Sequence, residues 1–110
     1  MHKNMKLDEI ELHDAILEGI SVNYRNKSAV IEVAYYQDSV NSEERTSAVI
    51  IFSDVKHLSE VSNFDHLELN RSAGNIAYWH PANGMGTTYI YLVSGLLEIT
   101  AKSVAFKINA

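Results

Sequence analysis

Apolar side chains recur in short runs with a period of two, and polar turn residues interrupt each run. In Ile16 to Tyr24, the residues Ile20, Val22 and Tyr24 alternate with Ser21 and Asn23. Successive side chains of a strand point to opposite faces, so this alternation predicts a half-buried β-strand. Arg25-Asn26-Lys27 supplies a polar turn, and Ala29 to Tyr36 then sets Ile31, Val33 and Tyr35 on one face. The pair reads as a β-hairpin. The polar stretch Gln37 to Glu44 is an exposed loop, and Thr46 to Phe52 is apolar almost throughout, as expected of a central strand.

The next signals are mixed. Ser53 or Asp54 can cap a helix start, and Val55, Leu58 and Val61 follow at intervals of three, which predicts a short helix. Phe64, Leu67 and Leu69 lie in an irregular connection or a weak strand. After a turn at Ser72 to Asn75, Ile76 to His80 is β-prone and stops at Pro81. Alternation there sends Tyr78 and His80 to one side and Trp79 to the core. A loop from Pro81 to Gly86 leads to a strand over Thr87 to Val93, and Ser94-Gly95 makes a tight turn. Leu96 to Ala101 and Val104 to Ile108 are one bent strand or two short ones. The sum is a single α+β domain over residues 1–110, with 1–6 as a flexible tail. A predominantly antiparallel sheet of six to seven strands is partly covered by one short helix, or curls toward a barrel.

Composition narrows the function classes. Cysteine is absent, which removes disulfides, thiol nucleophiles and thiolate metal sites. Nine Lys and Arg against fourteen Asp and Glu give a formal charge of -5, with the basic residues scattered. Such a chain is poorly suited to a phosphate backbone, so no nucleic-acid partner is expected, whereas a basic protein partner is compatible. Leu7-Asp8-Glu9-Ile10-Glu11 follows the opening basic residues without a signal-type apolar stretch, and later apolar runs are too short to span a membrane. A cytoplasmic location is the expectation.

Chemistry-bearing residues are few. Glu9, Glu11, His13, Asp14 and Glu18 form the densest polar group, and carboxylates with imidazole can bind a metal or move protons. No second cluster completes a ligand set, so no metal or cofactor is assigned, and Asp14 reads first as a turn residue whose carboxylate accepts backbone amides at the entry to the first strand. His57 and His66 are nine positions apart and do not share a helix face in the manner of a zinc-protease motif. Gly84-Met85-Gly86 precedes a strand and matches neither phosphate-binding glycine pattern. The serines lack a nucleophile-elbow context, and no catalytic residue is assigned. Tyr78, Trp79 and His80 beside Met85 combine large contact area with polar ends, and Tyr36, facing opposite to Tyr35, adds a further aromatic. These features suit an interface or one wall of a ligand pocket, as they suit an ordinary sheet surface. The candidate ligand or interface residues are Glu11, His13, Asp14, Tyr36, Tyr78, His80 and Met85.

At Leu12-His13-Asp14-Ala15 with Leu17, at Phe52-Ser53-Asp54-Val55 with Leu58, and at Gly95-Leu96-Leu97-Glu98-Ile99, the chain resembles a broad set of small bacterial β-rich domains. Some of these are similar to immunity proteins encoded beside polymorphic toxins. The resemblance implies a β-rich fold with a short helix, a bacterial cytoplasm and, for some members, neutralisation of a toxin; it brings no catalytic residues. The expectation is a non-catalytic protein-binding module. A small-molecule or metal-binding domain centred on Glu11, His13 and Asp14, and a structural or homo-oligomeric accessory domain, are the alternatives.

Overall fold

The computed structural model describes residues 6–38, 43–62, 64–65 and 75–109. A 3-10 turn, Leu7–Glu9, is followed by β1 (Ile16–Asn23), β2 (Ser28–Tyr35), β3 (Thr46–Ser62), β4 (Ile76–His80), β5 (Gly86–Leu92) and β6 (Gly95–Ile108). The six strands form one antiparallel sheet in the order β1-β2-β3-β6-β5-β4. Together with the short helical turn this is the expected α+β architecture. The sheet does not close into a barrel: β1 and β4 are its ends, joined among the described residues by one isolated bridge, Ile16 to Asn75.

The helix expected after Ser53 does not form. Residues 53–62 continue β3, which runs unbroken from Thr46 to Ser62. Two local irregularities explain the misleading spacing. Asp54 adopts a left-handed φ of 53°, and the register with β6 shifts between Val55 and His57. An extra residue in a strand moves the following side chains to the other face. Val55 and Leu58 therefore both pack toward the core, although three positions apart, while Val61 is exposed. A bulged strand and a helical stripe produce the same local pattern.

β6 turns a matching corner. Leu97, Ile99 and Ala101 are buried, Lys102 and Ser103 are exposed, and inward packing resumes at Val104 and Phe106. The sheet thus folds into two halves that share one core. Phe106, from one half, lies edge-on to Tyr35 at 5.0 Å between ring centroids and tilted against Trp79 of the other half at 6.3 Å. Trp79 is 8% exposed and inward, as its alternation predicted, and Ile31, Val33 and Tyr35 line the core together. Val22 and Tyr24 depart from the expected half-burial: Val22 pairs with buried Ala29, yet Val22 and Tyr24 themselves stand in solvent at the turn end of the hairpin.

The segment before β1 crosses this interior. Leu12 and Ala15 are fully buried, and the backbone is tied to β4 by Asp14 N–H donating to the Ile76 carbonyl and Ile76 N–H to the Ala15 carbonyl. The Trp79 indole N–H donates to the buried Ile10 carbonyl at 3.0 Å. Of the opening segment, the Lys6 carbonyl accepts the Glu9 amide, and 1–5 lie outside the described residues. So do His66, Leu67 and Leu69, the first residues of the 72–75 turn, and 39–42 of the polar loop; Phe64 and Asp65 are helical.

Gly95 is required at the β5–β6 turn. A Cβ there would collide with the Val61 carbonyl oxygen of β3, a backbone atom that cannot swing aside. Gly95→Ala is expected to lower stability by roughly 1–3 kcal/mol, the usual cost of overpacking. Chemical denaturation of the purified variant against wild type measures it.

Candidate functional site

Antiparallel pairing puts directly opposite residues on the same face. Tyr78 opposes Tyr91, His80 opposes Tyr89, and Tyr89 opposes Glu98, so one outward face of β4, β5 and β6 collects four aromatic rings and a carboxylate. Tyr78 and Tyr91 stack at 4.4 Å with a 17° interplanar angle, and Tyr91 and Tyr89 lie parallel at 6.1 Å. His80 meets Tyr78 and Tyr91 edge-on at 5.4 and 6.1 Å. Below them, the Thr87 and Thr100 hydroxyls are 2.7 Å apart.

This stack faces solvent. Tyr78 is 47% exposed, and Met85, in the adjoining loop, is 70% exposed. The loop itself is held by the Ala82 amide donating to the buried Thr88 hydroxyl, and left-handed Gly84 permits its turn. Partial desolvation raises the Tyr91 pKa, and the neighbouring Tyr78, Tyr89 and Glu98 push it the same way. The phenol therefore stays neutral at physiological pH and keeps its hydroxyl proton to donate.

A second group sits beside the first residues of β4. His13 Nδ1 lies 2.9 Å from the Ala77 carbonyl, and Nε2 lies 3.4 Å from Asp14 Oδ2. The Glu11 carboxylate accepts the His13 amide. Arg45 donates from Nε and Nη2 to the Asp14 carbonyl, and its guanidinium lies over the Tyr36 ring at 4.7 Å. Glu11, His13, Asp14 and Tyr36 are thus brought together, but as a clasp. Asp14 has a left-handed φ of 65° and turns the chain into β1, as expected of a turn residue. The backbone amide in this turn is accepted by Glu11, however, while Asp14 contributes its carbonyl to Arg45. No three His, Asp or Glu side chains converge as a metal site among the described residues.

The sequence points to Tyr78, His80 and Met85 but does not join Tyr89, Tyr91 and Glu98 to them. Alternation along Thr87 to Leu92 groups Tyr89 with Tyr91; only strand order sets them against Tyr78 and His80. Tyr36 takes no part in the stack, having Arg45 on its ring. Arg45 carries no signal in the sequence, since its partner is a main-chain oxygen 31 positions away.

The His13 pKa is raised above 6.5, first by the Ala77 carbonyl and then by Asp14, against a desolvation effect that outweighs the further rise from Glu11. A raised folded-state value means that protonation favours the folded form. This contribution is complete below the unfolded value and fades as pH rises through the folded one. A stability difference between wild type and His13→Ala is therefore expected to be largest at low pH and to shrink through the imidazole titration. Denaturation at several pH values, with an NMR titration of His13, measures both.

No family model matches the chain, and neither the curated proteins nor the solved structures contain a match to it.

Proposed function

We propose that the protein is a non-catalytic binding module that docks a protein partner on the outer face of β4, β5 and β6. The observation that carries this reading is the solvent-facing stack of Tyr78, Tyr91 and Tyr89 with His80 packed against it. The rings brace one another, so little side-chain freedom is lost on contact. Tyrosines with large apolar area and a polar rim are the residue type that concentrates binding energy in interfaces. Glu98 beside Tyr89 and the formal charge of -5 favour a basic partner. Neutralisation of a toxin in a bacterial cytoplasm, as the resemblance implies, is the specific form of this function that we favour.

A partner captured with wild-type protein and purified is expected to lose affinity by about 30-fold or more with Tyr91→Ala, the scale of an interface hot spot. Arg25→Ala, in the distant hairpin turn, should leave binding unchanged. Titration calorimetry measures both, with circular dichroism confirming that each variant is folded. Equal affinity for wild type and Tyr91→Ala would remove the aromatic face from the interface. Co-expression decides the toxin form: the partner's product should arrest growth alone and be harmless with this protein present.

A further inference from the structure

The second half of β3 is an open edge. β2 pairs with β3 only as far as Ser53, while β3 goes on pairing with β6 to Ser62. Beyond the Val55 amide, which donates to the Lys27 carbonyl, the outer side of this half carries no strand among the described residues. In an antiparallel ladder alternate residues direct their amide and carbonyl to each side, so the outward groups of this edge have no strand partner among the described residues.

The edge is self-complementary. Lys56 and Glu60 lie two positions either side of Leu58, both exposed. Two copies of the strand running antiparallel about Leu58 would bring each Lys56, the residue at the bulge, within reach of the other copy's Glu60. The apolar groups match in the same sense. Val61 and Phe64, 62% and 76% exposed, stand at the far end of the edge. A groove of about 240 Å³, lined by Val22, Tyr24, Lys27, Val55, Lys56 and Leu58 among others, stands at the near end. Antiparallel pairing brings the far end of each copy beside the groove of the other.

We propose that two copies of this chain form a dimer through the outer edge of β3, centred on Leu58, with reciprocal Lys56–Glu60 contacts. The bulge between Val55 and His57 keeps the new ladder short, so the association is reversible and weak. A two-fold pair also occupies both edges at once and offers no site to a third copy. The two sheets would join as β4-β5-β6-β3-β3-β6-β5-β4, with both aromatic faces on the same side. At about 4.8 Å between strands, the two copies of β5 lie roughly 24 Å apart.

Charge exchange tests the arrangement independently of any other partner. In sedimentation equilibrium, wild type is expected to dimerise with rising concentration. Lys56→Glu and Glu60→Lys should each weaken self-association by about tenfold or more, since each replaces two attractions with two repulsions. An equimolar mixture of the two variants should recover association, because every cross-copy pair is again opposite in sign. Amide NMR shifts that depend on concentration should fall on residues 56–62. The proposal is overturned by a wild type that stays monomeric to millimolar concentration, by variants that associate like wild type, by a mixture no stronger than its components, or by shifts confined to Tyr78, Tyr89 and Tyr91.

Discussion

The pairing of β3 with β6 runs from Ala48–Ile108 to Ser62–Gly95 and is kept while both strands exchange their inward face near Asp54 and Lys102. A straight ladder would leave one flat sheet with an apolar side in water. The corner instead turns the sheet on itself, so that Tyr35 and Phe106 of one half meet Trp79 of the other. Burial of these rings and of Ile31, Ile50, Phe52, Ile90, Leu97 and Ile99 provides the dominant stabilising term. The left-handed residue and the bulge are local costs that the shared core offsets.

The corner has consequences at both surfaces. It carries the second half of β3 away from β2 and leaves that half, among the described residues, as an edge that bears Lys56, Glu60 and the bulge. It also frees the outward side of β5 and β6, where Tyr89, Tyr91 and Glu98 stand in line with Tyr78 and His80. An aromatic group that is half in solvent and braced by neighbours retains apolar area that water hydrates poorly, which is the physical basis of the recognition role proposed for this face.

The clasp before β1 plays a different role. Leu12 and Ile10 cover the interior between the sheet halves, and hydrogen bonds from Asp14, Trp79 and His13 hold the segment against β4. Arg45 adds a tie from the start of β3 to the Asp14 carbonyl. Of the polar group that stands out in this part of the sequence, the Glu11 carboxylate and the His13 ring contact main chain, and Asp14 offers its carbonyl to Arg45. Their charge makes the clasp sensitive to protonation, but their exposure limits how strongly, since side chains of His13 and Asp14 are 65% and 61% accessible.

Local periodicity by itself determined that the chain forms short antiparallel strands, that Ile31, Val33, Tyr35 and Trp79 turn inward, and that Tyr78 and His80 turn outward. Those assignments depend only on alternation between neighbours, which the pleat of a strand enforces. Tertiary structure decided that residues 53–62 are strand, because β6 supplies a ladder for them and a bulge absorbs their helical spacing. It also decided which tyrosines meet. Tyr78 and Tyr91 are thirteen positions apart and become stacked through the order of β4 and β5, a pairing between strands that no run of neighbouring residues encodes.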